Sequence, residues 1–350
     1  MKASVFIKCG PDDTTYYLQA LIESKLFDVM DVYRDNPTKE LPTINYRLNR
    51  YFKTGFMRFV ERFMLACLEV AKPDYYIGVY EIPHGLMAFV IAKLFKKKVI
   101  ISVIGNPANS RVRKGLRLRI TKFVLRYSDA VTVTGQRSKE ILHNWGISDE
   151  SVHVLPNSIP VELFRDKHIV DKQYDVISLG RISTEKHIEL IVEIVKSLSI
   201  TLHIKAAIGG MGPELGRIIQ IVKDYGLEEA IDVQGFIPDN ELESFFNNGK
   251  IFVVCSETEG FPRTILQAAS CGSLIVSSSV GDIPEIIRNG ENGFLVDPYD
   301  NIDEYCSFIT QALRDSDASL NMSQRLQKEV HNLFSTESAA KVWVSIFKSV

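Results

Sequence analysis

Little in this 350-residue chain is extreme, and each shortfall closes off a class of protein. Cysteine is scarce. The five present, Cys9, Cys67, Cys255, Cys271 and Cys306, are odd in number and irregularly spaced. That excludes a disulfide framework, and without any CxxC or HExxH no zinc site is suggested. No apolar run reaches the roughly eighteen residues that a membrane-crossing helix needs. The opening MKASVFIKCG is too short and too broken for a secretory leader and reads as a first strand. A reducing cytoplasm is the expected setting. Net charge is small, -2, and the 24% of charged residues match a globular average, so disorder is excluded. No low-complexity tract or short repeat is evident.

What is present is length, apolar content and order. With 45% hydrophobic residues, 350 residues exceed one ordinary core and suit two domains. The near-neutral total hides an asymmetry. Residues 1–160 hold 24 Lys and Arg against 15 Asp and Glu, and the remainder holds 17 against 28. A basic half joined to an acidic half implies different partners for the two.

Val/Ile-rich runs recur with helical segments between them. In the first half they are 3–8, 75–80, 99–104, 130–134 and 152–155. In the second they are 175–180, 201–208, 231–233, 250–256, 273–278 and 293–296. Continuous rather than alternating apolar runs mark strands buried on both faces. Alternation with helices predicts parallel sheets. The fold class is therefore α/β, with two doubly wound Rossmann-like domains facing a cleft. The seam is placed in the polar, proline-bearing stretch 156–173. The first domain is expected over 1–160, the second over 161–335, and a C-terminal helix, 336–350, is expected to pack back on the first. Ligands in such sheets sit beyond the carboxyl ends of the strands.

Three glycine-bearing turns follow strands in the second half. In LGRISTEKH, 179–187, the strand ends at Gly180, and Arg181 and Lys186 lie near a helix start. A guanidinium and an ammonium beside free N–H groups would clamp a diphosphate; two solvated surface charges are the plain alternative. In IGGMGPEL, 208–215, Gly210 and Gly212 permit close backbone approach, either to a ligand or within a tight turn. The third glycine of a dinucleotide fingerprint is missing, so nicotinamide binding is not indicated. In SETEGFPRTILQAASCG, 256–272, Glu259-Gly260-Phe261-Pro262 turns into a short helix with Pro262 suited to its first position. Gln267 falls one turn after Arg263 and Thr264. Asp282 with Glu285 has the spacing of a capping box.

These segments, with VQGFIPDNEL between them and SVGDIPEIIRNGENGFLV after, resemble the donor-binding domain of the retaining GT-B glycosyltransferases of family 4, the glycosyl transferases group 1. The likeness covers roughly 130–300, and IPHGLMAFVIAKLFKKKVIISVIGN resembles the first domain of some members. It implies that Arg181 and Lys186 hold the donor diphosphate and stabilise the leaving nucleotide. It makes Glu259 the first Glu of the Glu-x7-Glu motif, contacting the donor sugar. Gln267 then stands where a second Glu binds the ribose; an amide keeps a hydrogen bond and loses the charge-assisted one. A solvent-facing helix residue is the alternative for Gln267. Gly180, Gly210, Gly212, Phe236, Gly260, Phe261, Pro262, Arg263 and Thr264 would line the donor, and Gly281 would lie beside it. The implied donor is a sugar on UDP or GDP, with no cofactor and no bound metal.

The first half departs from that family. The turn after the first strand, KCGPDDTTYYL, holds a single glycine, Gly10. Ile104-Gly105-Asn106-Pro107 stands where many members carry a His. His84 is the nearest imidazole, either lining the cleft or capping a helix. Two segments, 49–64 and 111–126, are basic and apolar. Each either lies on an anionic membrane surface or is an ordinary helix with a solvated basic edge. Nucleic acid is not indicated. The implied activity is retaining transfer of a sugar from a nucleotide diphosphate to a glycan or lipid-linked acceptor in cell-surface polysaccharide or glycan assembly. The alternative is a relative that binds nucleotide-sugar or glycan without turnover, as a partner subunit.

Overall fold

The structure, a computed structural model, describes residues 1–52, 55–69, 72–109 and 113–350. The chain divides into two compact units, Met1–Ser158 with Thr336–Val350, and Ile159–Ser335.

In the first unit the order is β1 (Lys2–Phe6), α1 (Pro11–Glu23), β2 (Val29–Arg34), β3 (Ile44–Leu48), α2 (Met57–Cys67), β4 (Tyr75–Val79), α3 (Leu86–Leu94), β5 (Lys98–Val103), α4 (Gly115–Arg126), β6 (Ala130–Val133), α5 (Gln136–Asn144) and β7 (Val152–Val154). The seven strands pair in parallel in the order β3-β2-β1-β4-β5-β6-β7. The chain runs outward from β1 to β3, then returns to the other side of β1 for β4. The carboxyl ends of β1 and β4 thus flank the point where strand order reverses, the preferred ligand position in such sheets.

Strands β2 and β3 lie outside the expected set. Asp31 interrupts the apolar pattern of β2, yet it is fully buried. Lys2 Nζ and Arg47 Nε each approach its carboxylate at 2.8 Å, which makes burial of the charge tolerable. Strand β3 alternates half-buried and exposed residues, as an edge strand does.

The second unit runs β8 (Tyr174–Leu179), α6 (Ile188–Leu198), β9 (Ala206–Gly209), α7 (Leu215–Asp224), β10 (Ile231–Gly235), α8 (Asp239–Asn247), β11 (Gly249–Val254), α9 (Arg263–Ser270), β12 (Leu274–Ser278), β13 (Phe294–Val296), α10 (Ile302–Arg314) and α11 (Ser316–Leu333). Its six strands pair parallel in the order β10-β9-β8-β11-β12-β13, so the reversal falls between β8 and β11. Helix α6 buries Ile188, Ile191, Val192, Val195 and Leu198, the i, i+3, i+4, i+7 face its sequence repeats. Each such side chain contributes about 1.5–3 kcal/mol when fully buried. The run 201–208 is only half strand: Thr201–Lys205 is turn and coil, and Ile204 is buried without pairing its backbone in a ladder.

Helix α12 (Thr336–Ser349) belongs to the first unit and packs on α1. Trp343 meets Tyr17 edge-on at 5.8 Å, and Phe347 meets Phe27 at 5.0 Å. Such aromatic pairs add about 0.5–1.5 kcal/mol each beyond area burial.

Candidate active site

The loops that follow β8, β9, β11 and β12 all emerge at the carboxyl end of the second sheet. Those after β8 and β11 flank its reversal point, and they are tied together twice. Glu257 N–H donates to Glu185 O at 3.0 Å. Lys186 Nζ forms an ion pair with Glu259 Oε1, and the same oxygen accepts from Ser256 Oγ at 2.7 Å. Glu259 and Lys186 are both mostly buried. The ammonium keeps two further donors beyond the one that Glu259 engages. Arg181, on the same loop, is exposed and forms no ion pair among the described residues. One paired and one exposed cation therefore stand on the same loop after β8, an arrangement suited to a diphosphate.

Glycine shapes the loop junctions. Gly210 has φ +132°, and a Cβ there would lie 1.8 Å from Gly180 O. A Cβ on Gly212 would lie 1.9 Å from Ile182 O. Ile182 N–H donates to Met211 O at 3.0 Å, so the loops after β8 and β9 lie backbone on backbone. The close approach of Gly210 and Gly212 is thus to the neighbouring loop. Gly281 does the same for the β11 loop: at φ +58°, its Cβ would sit 2.2 Å from Glu259 O. Asp282 N–H also donates to Gly260 O at 3.0 Å. Asp282 opens a single 3-10 turn, Ile283–Glu285, and its side chain does not make the expected capping bond.

Pro262 is the N-cap of α9 rather than its first residue. Arg263 and Thr264 form the first helical turn and are half-buried. Phe261 is buried and stacks on Phe334 at 5.3 Å, so its ring serves the core and leaves its main chain to the loop. Phe236, just past β10, is 68% exposed. Gln267 is buried, 6% exposed, which removes the solvent-facing alternative. Its side chain makes no hydrogen bond among the described residues.

Two neighbours escaped the sequence reading. Ser256 is buried and orients Glu259; its signal was a Ser three residues before the Glu. His187 adopts a left-handed backbone, φ 47°. Its Nδ1 lies 3.0 Å from Glu189 Oε1, its Nε2 lies 3.7 Å from Glu257 Oε2, and its ring rests on Tyr299. It fastens the turn that presents Lys186.

His84 is buried, and its Nε2 lies 3.3 Å from Arg62 Nη1. Burial, followed by the Arg62 charge, holds the imidazole pKa down to about 3, so the ring is neutral and accepts from Arg62. It belongs to a turn, Glu81–Gly85, and the N-cap of the following α3 is Gly85, with no side-chain cap bond. Asn106 Oδ1 accepts from Ala108 N–H at 2.9 Å, closing a local turn, and its carbonyl takes Arg113 Nη1 at 2.6 Å. Arg113 is buried and paired with Glu81 at 2.7 Å.

Within 49–64, Arg62 is fully buried, which corrects its reading as a solvated edge. Tyr51, Phe52 and Phe56 are exposed, as are Met57 and Met64. At the N-cap of α4, Lys114 is exposed, and within the helix Arg117 and Arg126 are exposed beside Leu116 and Phe123. Lys53, Thr54, Arg111 and Val112, parts of those two segments, lie outside the described residues. No helix among the described residues is long and apolar enough to cross a membrane.

Comparison with known proteins adds to this geometry. The model of the family described as "Glycosyl transferases group 1" matches residues 161–329, and that of "Glycosyl transferase 4-like domain" matches 34–158. N-acetyl-alpha-D-glucosaminyl L-malate synthase of Bacillus anthracis is 22% identical over 282 residues, covering 77% of this chain and 73% of that protein. The phosphatidylinositol N-acetylglucosaminyltransferase GPI3 subunit of Saccharomyces cerevisiae is 27% identical over 49% of this chain; the match spans 40% of its length. Among solved structures, Anabaena HepE in complex with UDP and glucose superposes with TM-score 0.83 at 16% identity, over all of both chains. Sucrose-phosphate synthase from Thermosynechococcus elongatus gives 0.85 at 18%, over 99% of this chain and 98% of its own. At these identities the structural likeness is one of fold. With two Rossmann-like units and family models that together run from residue 34 to 329, the chain belongs to the group 1 glycosyl transferases and has the GT-B fold.

Proposed function

We propose that the protein transfers a sugar from a nucleoside diphosphate to a glycan or lipid-linked acceptor with retention of configuration. The observation that carries this reading is the Lys186–Glu259 pair beside Arg181 at the strand-order reversal of the second sheet. In the proposed reaction Arg181 and Lys186 hold the diphosphate and take up the charge that develops as the C1–oxygen bond breaks. Electrostatic stabilisation of that kind is often the largest catalytic term. Glu259 orients the sugar. The acceptor oxygen bonds to C1 on the face the phosphate leaves, and its proton passes to the departing phosphate oxygen. No side-chain nucleophile and no metal is required in this scheme. Gly180, Gly210, Gly212 and Gly260 shape the loop backbones. Phe236 lies by the base, and the main chain of Phe261 and Pro262, with Arg263, Thr264 and Gln267, faces the nucleotide.

A UDP donor is favoured over GDP because HepE, of the same fold, is solved with UDP. The first unit is proposed to take the acceptor. The exposed Tyr51, Phe52, Phe56 and Met57, and the exposed Arg117, Arg119 and Arg126 beside Leu116 and Phe123 on α4, support contact with an anionic membrane surface at the cytoplasmic face.

The test is turnover. The protein is incubated with UDP-sugars and membrane extracts or glycan acceptors, UDP release is measured, and the configuration at C1 of the product is read by NMR. Release of UDP with an unchanged C1 configuration supports the reading; inversion contradicts it. A second reading, binding without turnover as a partner subunit, is favoured by Gln267 in the ribose position and by the local turn that occupies Asn106. It requires donor binding with no product.

A further inference from the structure

One buried cation in the first unit is incompletely paired among the described residues. Arg34 ends β2 and is 6% exposed. Its Nε and Nη1 are both buried without a hydrogen-bond partner. An uncompensated guanidinium inside a protein is costly, and native structures avoid it unless something else completes the site. Burial presses its pKa down, and only then do Tyr46, Cys9 and Asp35 act in the other direction.

Its surroundings are cationic. Asp35, the next residue, is approached by Arg62 at 2.7 Å, Arg58 at 3.4 Å and Lys8 at 3.5 Å. Burial opposes the charge of Asp35, yet these three hold its carboxyl below the usual range. The other carboxylate at hand, Glu61, is engaged elsewhere. It accepts from the N–H groups of Arg50, Tyr51 and Phe52 and from Asn49. His84 is neutral and already accepts from Arg62. Three cations thus share the Asp35 carboxylate, and Arg34, its neighbour in sequence, has no ion pair among the described residues. Lys8 follows β1, Arg34 ends β2, and Arg58 and Arg62 lie on α2, where Arg62 meets His84 of the turn after β4; the strand order reverses between β1 and β4. Lys8 is half exposed and Asp35 a quarter exposed, so the cluster opens to solvent.

We propose that this cluster is an oxyanion subsite, in which Arg34 and Arg62, with Lys8 and Arg58 at its rim, take a phosphate or carboxylate carried by the acceptor. A planar guanidinium fork suits either group, and the buried Nε and Nη1 of Arg34 have no other hydrogen-bond partner among the described residues. Anion binding itself needs no donor chemistry; only its assignment to the acceptor rests on the glycosyl-transfer reading.

The experiment is calorimetry of the full chain with inorganic phosphate at low salt. It uses an Arg181→Ala/Lys186→Ala background, which removes the two cations proposed to hold the donor diphosphate. Arg34→Met is expected to weaken phosphate on the order of tenfold or more, Arg34→Lys less, and Lys8→Gln about threefold, since each removes charge-assisted donors. In the absence of phosphate, Arg34→Met is expected to raise the Tm, because it removes an unpaired buried charge. A purely structural arginine gives the opposite: a lowered Tm and unchanged phosphate binding. That result, or undiminished binding in Arg34→Met and Lys8→Gln alike, overturns the proposal. If Arg34→Met does not fold, Lys8→Gln at the exposed rim decides. Two further probes separate the sources. Arg34-dependent binding of sn-glycerol 3-phosphate identifies a soluble acceptor, and Arg34-dependent binding to phosphatidylcholine vesicles that contain phosphatidylinositol identifies a lipid headgroup. Phosphate binding without any UDP-sugar binding contradicts the donor reading and leaves this subsite standing. UDP-sugar turnover without Arg34-dependent phosphate binding does the reverse.

Discussion

Lys186 and Glu259, 73 residues apart in sequence, form an ion pair that joins the two loops flanking the strand-order reversal of the second sheet. Ser256 fixes the same carboxylate oxygen from the other side. The pair holds a cation at the strand ends while leaving it donors to share with an incoming anion. Glu259→Gln separates the two roles. It releases Lys186 toward the diphosphate, so UDP binding is expected to hold or tighten a few-fold. Sugar transfer is expected to fall on the order of a hundredfold or more, as for loss of one preorganised polar contact. Calorimetry with UDP and a UDP-release assay on the same variant check this. Parallel loss of both would show that Glu259 only supports the loop.

The loop junctions depend on absent side chains. Gly281→Ala places a Cβ against Glu259 O at a positive φ, and Gly210→Ala places one on Gly180 O. Each is expected to destabilise the second unit by about 1–3 kcal/mol or more. The lower Tm should be accompanied by weakened UDP binding, because the displaced loops carry Glu259 and Arg181. An unchanged Tm in either variant would contradict the close approach.

Gln267 is buried with no side-chain partner among the described residues. A carboxylate there would be desolvated when the site is empty and would gain a stronger hydrogen bond to a ribose when it is filled. Gln267→Glu is therefore expected to lower the Tm of the free protein and to tighten UDP by about 1 kcal/mol, near fivefold. Melting curves with and without UDP test both halves. Equal shifts in the two conditions would remove Gln267 from the nucleotide contact.

His84 makes the first unit sensitive to mild acid. Its folded pKa, about 3, lies below the unfolded value near 6.5, so the unfolded chain binds the proton first. Its contribution to stability is complete above pH 6.5 and is lost as pH falls toward 3. Between pH 8 and pH 5.5 the loss is about 1 kcal/mol, a Tm change of about 2–4 °C for a domain of this size. Melting of wild type and His84→Asn at both pH values checks it. The variant should show a smaller drop; equal drops would place the acid sensitivity elsewhere.

The parallel strands were legible because both faces are covered and their residues form unbroken apolar runs. Phe252, Val253 and Ile275 read as strand with no competing pattern. Where charge entered a strand the reading failed. Asp31 hid β2, because the cations that compensate it, Lys2 and Arg47, come from other strands and leave no local mark. Leu202 and Ile204 misled in the other direction, since apolar residues can fill a core from an irregular backbone. In the site, motif order located the loops after β8, β9 and β11. The Lys186–Glu259 pair was invisible, because sequence spacing does not encode which loops touch. Arg62 looked like a surface cation for the same reason: Asp35, Asn49 and His84, which surround it, are distant in sequence.

The most direct measurement is calorimetric titration of the protein with UDP, GDP and ADP sugars, beside Arg181→Ala. Binding that one nucleotide dominates, and that Arg181→Ala abolishes while leaving the Tm within a degree or so, is the expected result. Failure of every nucleotide sugar to bind, or binding indifferent to Arg181→Ala, would contradict a donor site at the carboxyl ends of β8 and β11.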